Sequence, residues 1–205
     1  MTTVQPLVFE APGQEEEMAR ADLYGTLATL FCRPPSQELL DRIAAVAQSE
    51  GSLLDDAWQE LAEAAGRTDA EAVRQEYEDL FIGVGKPAVM LYGSYYLSGF
   101  LMEKPLVALR TDLAQLGLQR PETVAESEDH LAMLCEVMRY LITSDDVMQS
   151  ALPVQKKFFA DHLQPWVDNF CTTLEAYPGA MFYAAAARFA RRFFEVEAQA
   201  FDLFG

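Results

Sequence analysis

The amino-acid sequence predicts an all-α protein, a compact bundle of about ten helices in two closely packed parts. Three observations support this prediction. The 205 residues include 29 alanines but only 3 isoleucines, and alanine favours helices whereas β-branched residues favour strands. Apolar residues make up 51% of the chain, which is enough for a sizeable core. They recur at intervals of three and four residues, the spacing of a helix with one buried face.

Four helices are predicted in the N-terminal part. Residues 1–13 lack this periodicity and contain two prolines and a glycine, so they are predicted to form a flexible tail. A first helix over about 14–31 should end before Pro34-Pro35 and bury a stripe made of Met18, Ala21, Tyr24, Leu27, Leu30 and Phe31. The predicted starts of the next three helices are a Ser36 cap, a Ser52 cap and a capping box at Thr68–Glu71.

The stretch over about 83–105 breaks the helical pattern. It contains four glycines and two prolines, which disfavour a long helix. It also carries four aromatic residues, and a long aromatic-rich loop is usually functional. We predict that it connects the two helical parts within a single all-helical domain, residues 14–205. A second hinge is predicted over about 118–128.

Four helices are predicted in the C-terminal part. They run from Pro105 to Gly117, over about 128–143, from Pro153 past Phe170, and over about 180–201. The two prolines suit the first turn of a helix, where no backbone N–H is needed.

The charge of the chain restricts its partners. Its formal net charge is −17, so it should repel nucleic acids and attract a basic partner. Solubility alone could also explain the acidity. Cys32, Cys135 and Cys171 are predicted to be buried free thiols, which fits a reducing compartment. Since no secretory leader or bilayer-length apolar run is evident, we expect a cytoplasmic protein without stable membrane insertion.

The sequence offers little support for an enzyme. The two histidines lack the paired spacing of a zinc site, although Glu126 and Asp129 beside His130 could complete an oxygen-rich one. Leu80 and Pro87 break the pattern of a phosphate-binding loop around Gly85-Lys86. Ser94 lacks the Gly-x-Ser-x-Gly context of a nucleophile. We therefore predict a protein that is not an enzyme and binds no metal or cofactor.

Two short motifs carry most of the functional information, and each allows two interpretations. Tyr77, Leu80 and Phe81 precede Gly83 on one helical face, which is typical of a core but also of a binding surface. The second motif is Glu126-Ser127-Glu128-Asp129-His130. Its carboxylates could stabilise the start of a helix, or they could bind guanidinium groups of a partner, with His130 tuning the site near neutral pH.

Both motifs resemble those of the TorD/DmsD/NarJ family of cytoplasmic chaperones for molybdoenzymes, and the TorD–DmsD branch most. A third stretch, Phe159-x-x-His162-Leu163-x-Pro165-Trp166, is similar to another motif of that family. The first helix, with Ala21-Asp22-Leu23-Tyr24 and closure at Pro34, also matches. The resemblance extends over about residues 18–200. One departure is Ser127, which stands where the family usually has proline.

This resemblance implies a function. The protein would bind the twin-arginine signal peptide and the cofactor-free form of a molybdoenzyme catalytic subunit, assist insertion of the cofactor and delay export. The client would be a formate dehydrogenase or a DMSO/TMAO reductase-type subunit, and cofactor-insertion proteins are possible partners. Relatives are monomers or domain-swapped dimers. The alternatives are a helical adaptor for a folded partner and a small nucleotide- or metal-dependent enzyme.

The resemblance also assigns roles to residues. Glu126, Glu128 and Asp129 would meet the two arginines, with His130 beside them. Tyr77, Leu80, Phe81, Tyr92 and Tyr96 would line an apolar groove for the rest of the signal peptide. The remaining candidate residues for client binding are Gly83, His162 and Trp166.

Overall fold

A computed structural model describes residues 13–46, 53–83, 85–121 and 123–203. These ranges contain eleven α-helices, one π-helical turn and no β-strand, which confirms the predicted all-α class. The helices are α1 (Gln14–Cys32), α2 (Gln37–Ala45), α3 (Asp55–Gly66), α4 (Ala70–Tyr77), α5 (Gly93–Ser98), α6 (Lys104–Gln115), α7 (Leu131–Thr143), α8 (Val147–Ser150), α9 (Leu152–His162), α10 (Gln164–Glu175) and α11 (Phe182–Leu203). The π-helical turn, Glu78–Ile82, continues α4.

Helix α1 lies at the centre of the bundle. Its stripe residues Tyr24, Leu27, Leu30 and Phe31 are completely buried. The ring of Phe31 packs edge-on against Phe170 of α10, with 5.4 Å between centroids, and the hydroxyl of Tyr183 in α11 donates to the carbonyl of Leu30 at 3.1 Å. Helix α7 packs along the length of α1. The core therefore joins α1 to α7, α10 and α11.

A buried ion pair ties α1 to α11. Arg20 donates through Nε and Nη2 to the two carboxylate oxygens of Glu197, at 2.8 and 2.7 Å. The hydroxyl of Tyr24 also donates to Glu197, at 2.9 Å. Glu197 is only 2% exposed, so its charge is stabilised almost entirely by these two partners.

A second polar link connects α4 to the start of α11. The carboxylate of Glu76 accepts hydrogen bonds from the backbone N–H groups of Met181, Phe182 and Tyr183, at 2.8 to 3.1 Å. These are unpaired donors at a helix N-terminus, where a negative charge is favourable. The side chain of Glu76 thus holds residues 70–82 against the start of α11.

The predicted helix starts are partly confirmed. Ser36 caps α2 by accepting from the backbone N–H of Leu39. Asp69, not Thr68, caps α4, because its carboxylate accepts from Ala72 at 2.9 Å. Ser52 lies outside the described residues, as does most of the predicted tail. Met18 is half-exposed, so the predicted stripe of α1 begins at Ala21.

Two predicted helices of the C-terminal part have different bounds. The helix predicted from 128 starts at Leu131, and the helix predicted from Pro153 past Phe170 is divided into α9 and α10 around Leu163. Pro165, which has no N–H, falls in the first turn of α10 and ends the hydrogen-bond pattern of α9. The predicted loop over 83–105 contains the short helix α5. None of the described helices is both long and apolar enough to cross a bilayer.

Candidate functional site

The first motif lies where α4 changes into the π-helical turn. Tyr77, Leu80 and Phe81 are all buried. The hydroxyl of Tyr77 donates to the carbonyl of Phe31 at 3.2 Å, and the ring of Phe81 packs edge-on against Tyr77 and Tyr183 with 5.0 Å between centroids. A π-helical turn inserts an extra residue into a helix and is frequent at functional sites. Leu80 faces the core, whereas Tyr77 and Phe81 reach the wall of a cavity.

Gly83 ends the turn in a conformation that favours glycine. Its φ angle is +58°, in the left-handed region. A Cβ atom there would lie 3.1 Å from the carbonyl oxygen of Lys86. Gly83 therefore shapes the chain after the first motif, although it does not line a cavity.

The second motif meets the loop before α5 through two backbone hydrogen bonds. Gly93 donates to the carbonyl of Asp129 at 2.9 Å, and Leu131 donates to the carbonyl of Leu91 at 2.8 Å. These bonds place Tyr92 opposite His130 in an antiparallel bridge. The predicted connecting loop is thus fixed to the start of α7.

Asp129 is engaged inside this junction. It is 4% exposed, and its Oδ2 accepts from the backbone N–H of Ser94 at 2.9 Å and from the Ser94 hydroxyl. The hydroxyl of Ser127 donates to its other oxygen. The hydroxyl of Ser127 therefore supplies a hydrogen bond that a proline at this position could not. Asp129 acts here as an internal organiser of the loop.

Glu128 is also engaged by the protein itself. It forms ion pairs with Arg110 at 2.9 Å and Arg120 at 3.6 Å. Partial burial acts to raise the pKa of Glu128, but the hydrogen bond from Arg110 and the charges of both arginines lower it overall. This carboxylate belongs to a separate shallow groove beside α6.

Glu126 differs from these two carboxylates. It is half-buried, and the hydroxyl of Tyr92 donates to it. Burial, followed by that hydrogen bond and the charge of Glu126, raises the pKa of Tyr92. In the described part of the chain no arginine or lysine forms an ion pair with Glu126. Its negative charge is therefore available to a cation that enters the cavity.

One cavity of about 250 Å³ gathers residues of both motifs. Its lining is largely apolar, and Glu126 is its one carboxylate among the described residues. The lining consists of Cys32, Arg33, Pro34, Tyr77, Phe81, Ile82, Pro87, Val89, Met90, Leu91, Tyr92, Glu126 and His130. We call it the motif cavity. A ligand that enters it meets aromatic walls, the carboxylate of Glu126 and the guanidinium of Arg33.

His130 forms part of this cavity and caps α7. Its Nδ1 accepts from the backbone N–H of Ala132 at 3.1 Å, so Nδ1 carries no proton. Its ring packs edge-on against Tyr92 with 5.1 Å between centroids. The predicted helix-start role of Glu128 or Asp129 thus belongs to His130. Burial lowers the pKa of His130, and the charges of Glu126 and Asp129 oppose that effect only in part.

The lowered pKa of His130 has a consequence for stability. The unfolded chain binds a proton at this residue at a higher pH than the folded protein. The contribution of His130 to the free energy of unfolding is therefore complete above about pH 6.5 and decreases as the pH falls below that value. We expect the urea midpoint of a His130→Asn variant, whose side chain can still cap, to change less between pH 7.5 and 5.5 than that of the wild type. NMR titration of the two histidines would test the assignment. A His130 pKa above 6.5 in the folded protein would contradict it.

The third motif lines a different cavity, of about 170 Å³, which also contacts Asp129. Trp166 is buried and donates through Nε1 to the carbonyl of His162 at 2.7 Å. His162 Nε2 lies 2.8 Å from a carboxylate oxygen of Asp112. Tyr96 stacks on Trp166 at 5.5 Å and donates to the carbonyl of Met90. Tyr96 therefore supports this wall but lines neither cavity.

Asp112, Asp161 and His162 could in principle hold a metal ion, since their ligand atoms lie within 4.8 Å of one another. The ammonium group of Lys157 lies 2.5 Å from Asp161 and 3.5 Å from Asp112. It already supplies the positive charge that a metal ion would bring. In the Glu126–Asp129–His130 combination considered from the sequence, each of the three residues accepts a hydrogen bond from within the protein.

The structure thus separates the predicted site residues into groups. Tyr77, Phe81, Tyr92, Glu126 and His130 share the motif cavity, whereas Asp129, His162 and Trp166 share the second cavity. Cys32 and Arg33 also line the motif cavity, although no sequence pattern indicates a site role for either residue. Cys32 was predicted to be buried but is exposed; its position just before the break at Pro34-Pro35 could have indicated this.

Comparison with known proteins places the chain in a family. A family model described as "Nitrate reductase delta subunit" matches residues 48–172. The chaperone protein TorD of Vibrio cholerae is 29% identical over 205 residues, covering 89% of this chain and 92% of the relative. TorD of Vibrio atlanticus is 24% identical and covers 88% of this chain and 93% of its own length.

A solved structure supports the same fold. The protein in that structure comes from Archaeoglobus fulgidus and is described as a redox enzyme maturation protein. The TM-score is 0.58 at 22% identity, and the match covers 94% of this chain and 99% of the other. The chain belongs to the nitrate reductase delta subunit family and is a TorD-related chaperone rather than an enzyme.

Proposed function

We propose that this chaperone acts in the cytoplasm, binds the twin-arginine signal peptide of a molybdoenzyme precursor and delays its export until the cofactor is inserted. The observation that supports this proposal is the motif cavity, which brings both sequence motifs together around the carboxylate of Glu126. This carboxylate accepts from the Tyr92 hydroxyl but forms no ion pair among the described residues. A twin-arginine leader is basic at one end and apolar along the rest. The aromatic walls and the carboxylate of Glu126 suit an arginine side chain, since guanidinium groups both pair with carboxylates and stack on aromatic rings. Arg33 also lines the cavity, but it forms no ion pair with Glu126.

The ion pairs and hydrogen bonds of the three carboxylates favour one of them for the proposed contact. Glu128 is neutralised by Arg110 and Arg120, and Asp129 is saturated by hydrogen bonds from Ser94 and Ser127. We therefore assign the arginine contact to Glu126. Asp129 then acts indirectly, by fixing the loop that carries Tyr92. Leu80 acts as a core residue that positions Phe81.

The motif cavity can hold only part of a leader. Its volume of about 250 Å³ is below the roughly 300–1,000 Å³ of typical small-molecule sites. It suits one or two side chains, not a whole apolar helix. With a charge-assisted pair and part of the apolar surface buried, an affinity of about micromolar is reasonable once the ordering of the peptide is counted. Binding of that strength would delay export and still allow release.

The first test compares two synthetic leaders with the full chain. One carries the two arginines, and the other carries glutamines in their place. The arginine peptide should bind about tenfold more tightly at low salt, because a hydrogen-bonded charge pair is worth about 1.5–3 kcal/mol, and the difference should shrink as salt is added. Isothermal titration calorimetry would measure both affinities.

A Glu126→Gln variant should lose this preference and bind both peptides alike. Glu63→Gln is the matched control, since it removes the same charge from an exposed pair with Arg67 that does not line the cavity. An unchanged preference for arginine in Glu126→Gln would exclude Glu126 as the contact. Equal binding of both peptides to the wild type would exclude the arginine-specific function itself.

A further inference from the structure

A row of large apolar side chains is exposed at the turn between α5 and α6. Its members are Leu97, Phe100, Leu101, Met102 and Val107, and we call it the apolar ridge. Phe100 and Met102 are 70% and 76% exposed. Single exposed apolar residues are ordinary, but a cluster of a few hundred Å² on a soluble protein usually marks an interaction site.

The backbone of the apolar ridge has a defined shape. Gly99 ends α5 with a φ of +83°, and Met102 has a φ of +59°, which is uncommon for a residue other than glycine. The hydroxyl of Ser98 lies 2.7 Å from the carbonyl of Ser94 and accepts from the N–H of Phe100 at 3.5 Å. A strained residue in an ordered turn is often linked to function. The turn therefore holds its apolar side chains outward in a fixed arrangement.

The apolar ridge continues into the second cavity. Leu97 lines that cavity together with Pro105 and Ala108, and the buried ring of Trp166 contributes to its wall. Three carboxylates, Asp112, Asp129 and Asp161, also line it. Lys157 offsets one of these charges, so the border of the ridge stays negative.

Charge complementarity selects the occupant. A second copy of this chain would bring another net charge of −17 to a negative border, which disfavours self-association. An apolar segment flanked by basic residues matches both the apolar side chains of the ridge and its negative border. The two cavities share no lining residue but adjoin each other along the chain. Tyr92 and His130 line the motif cavity, and their neighbours Gly93 and Asp129 line the second cavity, so we expect one extended peptide to reach both sites.

We propose that the apolar ridge binds the apolar segment of the same leader whose arginine enters the motif cavity. This inference rests on the proposed function and extends it, because it assigns the two chemical parts of the leader to two different surfaces. The motif cavity selects the positive charge. The ridge supplies the area that the cavity lacks.

The test uses the full chain with a Phe100→Ser/Met102→Ser double variant. The matched control is Val147→Ser/Met148→Ser, which replaces a valine and a methionine that are 79% and 78% exposed in the short helix α8. The probes are two synthetic peptides with the same two arginines, one followed by a leucine-rich segment and the other by the same segment with alternate leucines changed to serine. Both variants should keep the thermal stability of the wild type, since they alter exposed side chains.

The ridge variant should bind the leucine-rich peptide at least tenfold more weakly than the wild type, and the control variant within twofold. The serine peptide should bind the wild type and the ridge variant alike, which shows that ridge and apolar segment contact each other. Equal binding of the leucine-rich peptide by ridge variant and wild type would overturn the proposal, while a persisting preference for arginine would leave the proposed function intact.

Two further outcomes separate the two claims. Suppose that the wild type binds arginine and glutamine peptides alike, and that the ridge variant binds the leucine-rich peptide more weakly than the wild type does. The ridge assignment then holds and the arginine assignment fails. If sedimentation shows a wild-type dimer that the ridge variant converts to a monomer, the occupant is a second copy of the chain and the proposal is overturned.

Discussion

Replacing Glu197 with alanine should lower the free energy of unfolding by about 3–5 kcal/mol, the usual cost of removing one partner from a buried ion pair. Among the described residues, the substitution leaves the guanidinium of Arg20, whose side chain is 16% exposed, with only the partly exposed Glu17 as a charged partner. It also leaves the buried hydroxyl of Tyr24 without its acceptor. For a chain of about this length the change corresponds to a decrease in Tm of about 10 °C. Urea and thermal unfolding would measure it.

Two comparisons make this prediction specific. Glu195→Ala removes a carboxylate from the same helix, but its pair with Arg192 is exposed, so the loss should stay within about 1 kcal/mol. An Arg20→Met/Glu197→Leu double variant should recover much of the stability, because no unpaired charge remains in the interior. A loss below about 1 kcal/mol for Glu197→Ala would show that the interior ion pair contributes little.

Replacing Gly93 with alanine should destabilise the protein by about 1–3 kcal/mol and abolish leader binding. The added Cβ would lie 2.9 Å from Nε1 and 3.1 Å from Cε2 of Trp166. Trp166 cannot easily withdraw, since it donates to the carbonyl of His162 and stacks on Tyr96. The helix propensity of alanine would by itself gain up to about 1 kcal/mol, but overpacking of this kind costs about 1–3 kcal/mol. Peptide titration and near-UV circular dichroism would report both effects.

Gly66→Ala is the matched control for this substitution. A Cβ at Gly66 would lie 3.7 Å from the side chain of Ala44, an ordinary contact, and Gly66 is the last residue of α3. Its stability should be unchanged or slightly increased. A Gly93→Ala variant with wild-type stability and binding would mean that the contact with Trp166 relaxes without consequence for the loop.

The sequence predicted the helical class and most helices because apolar periodicity is a local signal. The first helix, its end at Pro34 and the cap at Ser36 follow directly from residue type and spacing. The division of the helix at Leu163 was missed, since the stripe from Phe158 to Phe170 keeps its spacing across the break. The proline two residues after Leu163 was the available signal.

The site was less predictable, because a carboxylate's use depends on its neighbours in space. Glu126, Glu128 and Asp129 look equivalent in sequence. Their partners are a tyrosine hydroxyl, two arginines and two serine side chains with a backbone amide, and those partners lie up to 35 residues away. Periodicity also could not reveal the π-helical turn, which directs Leu80 to the core and Phe81 toward the cavity.

The bond between Arg20 and Glu197 joins residues 177 positions apart, and α1 finds its aromatic neighbours in α10 and α11. The core around α1 therefore cannot form while the ribosome is still synthesising the second half of the chain. Contacts between residues so distant in sequence slow folding and leave apolar surface exposed during synthesis. The chaperone itself can therefore complete its core only after nearly all of its own chain has been translated.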